Sequence, residues 1–193
     1  QCLLQLEHWH DALDFLTGPA VDKPLDSLLW TLQAKVHFLQ ENYDKAIRIL
    51  KPRIEQGLGA DDELELLLDA LVSDRQFELA ESLFRQHPQS VEVLSSYALQ
   101  LAEMGQMAAG LDVLELGRER FDTDARFQNS FGLVLMCEDR FADSIEHFTN
   151  AVELDPQVAV YWYNLGLARC NNQQPEQAIA SYRKAIDVQD NYY

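Results

Sequence analysis

The residues in this chain that are able to do chemistry are spread in a way that speaks against catalysis. His8 and His10 flank Trp9, and an H-x-H pair invites a metal ion. On a helix, however, residues two apart point about 200° apart, so both rings do not readily serve one ion. His37, His87 and His147 stand far apart, none in a pattern that pairs it with a nucleophile, and read as helix-face residues. Cys2, Cys137 and Cys170 are too few and too scattered for a disulfide framework or a CxxC zinc site, and Cys137 and Cys170 read as small buried hydrophobes. The Asp61, Asp62, Glu63, Glu65 cluster lacks the central Gly and terminal Glu of a calcium loop, and reads as an acidic first turn favourably placed against its helix dipole. There is no Gly-rich phosphate loop, dinucleotide fingerprint or nucleophile elbow. The expectation is a chain that catalyses nothing and holds no cofactor and no metal.

The elements that carry these residues follow from composition and periodicity. Of 193 residues 47% are hydrophobic and 24% charged, enough to bury a core and too apolar for disorder. Fifteen Lys and Arg against 32 Asp and Glu leave a formal charge of −17, which disfavours a nucleic-acid surface and points to basic or amphipathic partners. The plainer reading of the acidic runs is a solvated helix face that keeps an extended fold soluble. No apolar run reaches the length of about 18 residues that a spanning helix needs. The N-terminus has neither Met nor a basic leader, so the chain reads as mature or trimmed. Few cysteines suit a reducing, cytoplasmic compartment, with a processed periplasmic chain as the alternative.

Apolar residues recur at spacings of three and four, as in Leu64, Leu67, Leu68 and Leu71, and breakers fall at intervals that suit helices of about a dozen residues. A small residue returns at Ala12, Ala46, Ala80, Gly110, Ser144 and Ala178, at intervals of 34 residues except for one of 30. Four positions further on stands a bulky one each time: Leu16, Leu50, Phe84, Leu114, Phe148 and Tyr182. Twelve positions before the small residue lie Ala34, Leu68, Ala98, Gly132 and Gly166, mostly small again. Each period is then a helix hairpin that cannot bury its apolar face alone and must stack on its neighbours.

Trp162, Leu165, Gly166, Ala178, Tyr182, Ala185 and Asp190 fall in one register with the signature of the tetratricopeptide repeat, which the chain resembles along essentially its whole length. The units run 27–60, 61–90, 91–124, 125–158 and 159–192, after a partial unit 1–26, in one continuous array. Unit 61–90 is four residues short where Arg85, Gln86, His87 and Pro88 end its second helix, which predicts a truncated helix or a tightened turn. Gln128 replaces a usual bulky residue, and Arg53 and His87 occupy a place normally small. In this register Gln1 is the eighth position of its unit and no capping helix follows Tyr193, so the chain reads as a piece of a longer repeat protein or as one whose ends are covered by homo-oligomerisation.

The resemblance implies an all-α, right-handed α-solenoid of stacked antiparallel helix hairpins, with a concave groove lined by the first helix of each pair. It places Thr31 and Lys35, then Glu65 and Asp69, then Ser95 and Leu99, then Asn129, Leu133 and Met136, and finally Tyr163 and Leu167, in that peptide-binding groove. Family members that hold a peptide carboxylate use clustered Lys and Asn; here Lys35 and Asn129 are the candidates, with Asp62, Glu65 and Asp69 between them, and an acidic tail would be repelled. The expected role is a scaffold that binds a protein or peptide, basic or amphipathic, through this groove. The alternatives are a recruiting arm of a larger enzyme, such as a glycosyl- or sulfotransferase, and a self-associating structural scaffold.

Overall fold

The computed structural model describes residues 27–87 and 90–190, and all regular structure among them is helical. Ten helices follow one another among these residues: α1 (Ser27–Leu39), α2 (Tyr43–Glu55), α3 (Asp61–Ser73), α4 (Phe77–Gln86), α5 (Val91–Glu103), α6 (Met107–Phe121), α7 (Ala125–Cys137), α8 (Phe141–Leu154), α9 (Ala159–Asn171) and α10 (Pro175–Asp190). They are all-α helix hairpins, and within each compact unit the first helix of a hairpin packs on the hairpin before it. The partial unit 1–26, with His8, His10, Ala12 and Leu16, lies outside the described residues.

The turns inside the hairpins share one geometry. Each is three residues long, and its middle residue, Glu41, Arg75, Gly105, Asp139 or Gln173, has a positive φ. The next residue donates its N–H back to the end of the first helix, as Gln106 does to the Leu101 carbonyl at 2.8 Å and Arg140 to that of Leu135 at 3.0 Å. These bonds satisfy carbonyls that the helix end would leave bare. Side chains cap two of the first helices: Ser90 accepts from the backbone N–H of Val93 at 3.4 Å, and Asp124 from that of Arg126 at 2.8 Å and of Phe127 at 3.2 Å, whereas Ala60 before α3 and Val158 before α9 make no such bond.

The small-then-bulky pairs are core. Ala46 and Leu50, Ala80 and Phe84, Gly110 and Leu114, and Ser144 and Phe148 are all buried, while Ala178 is buried and Tyr182 half-buried. The preceding small position is explained by close approach: a Cβ added to Gly132 would stand 2.7 Å from the Phe148 ring, and one on Gly166 would stand 2.7 Å from the ring of Tyr182. Burying an aromatic such as Phe148 contributes about 2–3 kcal/mol, and the missing Cβ is what lets the ring in.

Two compact units divide the chain between Gln89 and Ser90. In the first, α2 packs on α1 and α3, and α4 packs on α3. Here α4 spans 10 residues, whereas α2 spans 13. The missing residues are therefore taken from the second helix, and His87 is extended, as a residue before proline tends to be. In the second unit α7 packs on α5, α6 and α8, and α9 packs on α7, α8 and α10. Phe148, Ala151 and Val152 of α8 interlock there with Tyr161, Leu165 and Ala168 of α9.

Two sequence expectations are corrected. Cys137 and Cys170 are exposed rather than buried, because they sit in the last turns of α7 and α9, past the residues that meet the core. His37 is buried rather than on a helix surface; burial, and then Lys45, push its pKa below the usual histidine value. Glu63 stands in the acidic first turn of α3, as the sequence suggests, and is 1% exposed there.

Candidate functional site

In the first compact unit the candidate residues split into structural and accessible groups. Glu63 is held by Arg53, whose Nε lies 3.1 Å from Oε2 and whose Nη2 lies 3.0 Å from Oε1. The Thr31 hydroxyl donates to the same Oε1 at 2.7 Å, so Thr31 is engaged in a lock between α1 and α3. Lys35 is exposed on α1, and Glu65 and Asp69 are half-buried on α3. Asp61 and Asp62 are exposed in the first turn of α3, where the helix dipole favours them.

In the second unit polar bridges tie successive first helices together. Arg126 on α7 forms an ion pair with Glu92 on α5, and its Nη2 lies 3.2 Å from Asp124. A local backbone hydrogen bond, together with Arg126, holds the Glu92 carboxyl below its usual range. Between α7 and α9, Asn164 Nδ2 donates to Asn129 Oδ1 at 2.8 Å. This bond engages the Asn129 amide oxygen and so orients the amide.

Exposure along this face rises from helix to helix at one repeat position. Ser95 on α5 is 9% exposed, Asn129 on α7 is half-buried and Tyr163 on α9 is 52% exposed. The reason is stacking: α5 is overlaid by α7, and α7 by α9. Leu99, Leu133 and Leu167 are half-buried in a common register, and Leu133 and Met136 also pack against the α8–α9 core. A ligand on this face would meet the outer edges of those side chains, the Asn129 amide, the Tyr163 ring and the Glu92–Arg126 pair. Such a mixture suits hydrogen bonds to an extended or helical backbone, with apolar side chains laid between them.

A buried polar network on α6, α7 and α8 was not foreseen. Gln128 Nε2 donates to the Asp122 carbonyl at 2.7 Å and to Asp122 Oδ1 at 3.0 Å, while Gln128 Oε1 pairs with His147 Nδ1 at 2.8 Å. The His147 ring stacks on Phe131 with centroids 4.3 Å apart, and the Arg118 guanidinium lies 4.8 Å from the same Phe131 ring centroid. The departure at Gln128 was visible in the sequence, but its partners 6 and 19 residues away were not.

Among the described residues no group of three or more His, Cys, Asp or Glu side chains is placed to hold a metal ion. No described helix is long and apolar enough to cross a membrane.

Comparison with known proteins follows the same lines. A family model described as tetratricopeptide repeat matches residues 147–180. Peroxisomal targeting signal receptors of Candida albicans and Saccharomyces cerevisiae are similar, at 26% identity over 82 residues and 27% over 79. The matched stretches are 42% and 41% of this chain, and 14% and 13% of those longer receptors. Among solved structures, a MamA fragment from Desulfovibrio magneticus RS-1 superposes with a TM-score of 0.60 at 20% identity, covering 86% of this chain and 96% of that one. YrrB, described as a tetratricopeptide-repeat protein with an unusual peptide-binding site, superposes with a TM-score of 0.55 at 20% identity, covering 86% of this chain and 87% of its own.

Proposed function

Because the chain is built of tetratricopeptide-repeat hairpins, we propose that it is a non-catalytic scaffold that takes a protein or peptide on its first-helix face. The observation that carries this reading is the face of α5, α7 and α9. Its Asn129 amide, oriented by Asn164, stands beside the exposed Tyr163 and the half-buried Leu133 and Leu167. The similarity to targeting signal receptors and to a repeat protein described by its peptide-binding site supports it.

The partner segment is basic or amphipathic. A chain of charge −17 attracts cations from solution, and Glu65 and Asp69, half-buried on α3, would meet them at close range. Binding energy would come from a few apolar anchors, with charge-assisted hydrogen bonds setting register.

The test is selection from a displayed peptide library, followed by affinity measurements on the selected sequences. Enriched peptides carry Lys or Arg beside Leu, Ile or Met. The joint reversal Glu65→Lys and Asp69→Lys weakens them by about tenfold, and more at low salt than at moderate salt. Affinity unchanged by the reversal removes the basic-partner reading.

A further inference from the structure

One repeat position holds His37, Leu71, Leu101, Leu135 and Arg169 on the five first helices in turn. The three leucines are buried, whereas Arg169 lies half-buried on α9 and brings a charge to a place that is otherwise mostly apolar. Its Nη1 donates to the Ser181 hydroxyl of α10 at 2.7 Å. Ser181 is buried and donates in its turn to the Gln177 carbonyl at 3.2 Å. The guanidinium is thus held in one orientation by a hydroxyl that is itself held. On the opposite edge of the fork Nε is enclosed and meets no acceptor.

What is missing is a counter-charge. Arg53, Arg85, Arg118, Arg126 and Arg140 all lie against carboxylates. Hydrogen bonds to those carboxylates raise the pKa of Arg118, Arg126 and Arg140, whereas burial lowers that of Arg169 with nothing opposing it. Packing does not require a cation here, because leucine fills the same position three times, and a half-buried charge without a partner is costly. The place is also distinct from the first-helix face, since Leu167, two residues before Arg169, points about 200° away from it. It is turned toward the preceding hairpin: His147, which matches Ser181 one repeat earlier, packs back onto Phe131 and Gln128 of α7 and faces Arg118 of α6. We propose that Arg169, steadied by Ser181, is the seat of an oxyanion, a carboxylate or phosphoryl group that supplies the absent charge. A small lean of the half-buried side chain toward solvent presents Nε and Nη2 to two oxygens of that group, the bidentate geometry that suits a guanidinium.

The arginine Nε–H signals of the whole, nitrogen-15-labelled chain test the proposal, the Arg169 signal being the one absent from Arg169→Leu. Sodium chloride is replaced, at constant pH and ionic strength, by sodium acetate or by sodium phosphate. The expected result is an Arg169 signal that shifts and saturates in the millimolar range, while the signals of the carboxylate-paired Arg118 and Arg140 stay where they are. The same anion raises the urea midpoint of the parent and leaves that of Arg169→Leu unchanged. Arg169→Lys, which keeps the charge and loses the fork, and Ser181→Ala, which releases the guanidinium, each weaken the anion by about tenfold. Saturation by phosphate alone assigns the seat to a phosphoryl group, and saturation by both anions extends it to a carboxylate, such as an acidic side chain carries. An Arg169 signal that moves no further in acetate or phosphate than in chloride overturns the proposal, as does an anion-dependent midpoint that survives Arg169→Leu.

Discussion

Arg53 and Glu63, ten residues apart on α2 and α3, form a buried ion pair at the place where a later repeat seats Phe127 against Gly117, again ten residues apart. A Cβ on Gly117 would lie 3.0 Å from the Phe127 ring, and Ala151 and Tyr161 meet within one core cluster at the same spacing. One contact between hairpins is thus made either by a small residue and an aromatic one or by a cation and an anion.

Exchanging one solution for the other predicts a specific pattern. Arg53→Ala alone leaves the 1%-exposed Glu63 carboxylate without its guanidinium and costs about 3 kcal/mol. Glu63→Phe alone confronts the ring with Arg53 and also destabilises. The double variant restores stability to the parent's level or above, because a packed apolar pair replaces two desolvated charges. Urea unfolding of the three variants checks this; a double variant as unstable as the sum of the singles would refute the equivalence of the two contacts.

The sequence made the hairpins legible and this contact illegible, for a physical reason. Alanine, glycine and aromatic positions announce packing through size, and their period of 34 residues averages over several repeats. Arg53 is visible as a departure from a small position, and Glu63 sits in a cluster that reads as the acidic first turn of a helix, with nothing to mark it for burial. Only the fold shows that the first departure compensates the second. The same holds for Gln128, whose burial is explained by Asp122 and His147 and by no local pattern. On the first-helix face, sequence reasoning found the positions but not their coverage. Ser95 is buried where Tyr163 is open, because burial depends on which helix comes next.

Gly132 tests the close approach of α7 and α8. Gly132→Ala places a methyl group 2.7 Å from the Phe148 ring, which is 0% exposed and has nowhere to retreat. The gain in helix propensity, about 1 kcal/mol, is outweighed by overpacking of about 1–3 kcal/mol. Net destabilisation in denaturant unfolding is expected, and the further substitution Phe148→Leu, which makes room for the methyl, should cost less in Gly132→Ala than in the parent.

His147 gives the second unit a pH dependence of defined sign. Gln128 donates through its amide nitrogen to Asp122, so Gln128 Oε1 must accept and His147 Nδ1 carries the proton. Burial, and then Arg118, hold the His147 pKa below the usual 6.5, with Glu146, Asp122 and Glu115 opposing. The unfolded chain therefore takes up the proton more readily. The stabilisation is fully present above about pH 6.5 and is lost as pH falls through the folded value. The urea midpoint should drop between about pH 7.5 and about pH 5.5. His147→Phe, which preserves the stack on Phe131, should flatten that slope; an unchanged slope would assign it elsewhere, His37 being shifted in the same direction.

Site-specific photo-crosslinking locates the partner most directly. A benzophenone side chain placed at Tyr163 on α9 or at Leu167 is set on the first-helix face, whereas one at Leu116, 52% exposed on α6, is set on a second helix. With a peptide from the library selection, binding to the first-helix face predicts a crosslinked product at Tyr163 and Leu167 and none above background at Leu116. Crosslinking at Leu116, with Tyr163 and Leu167 silent, would contradict the account.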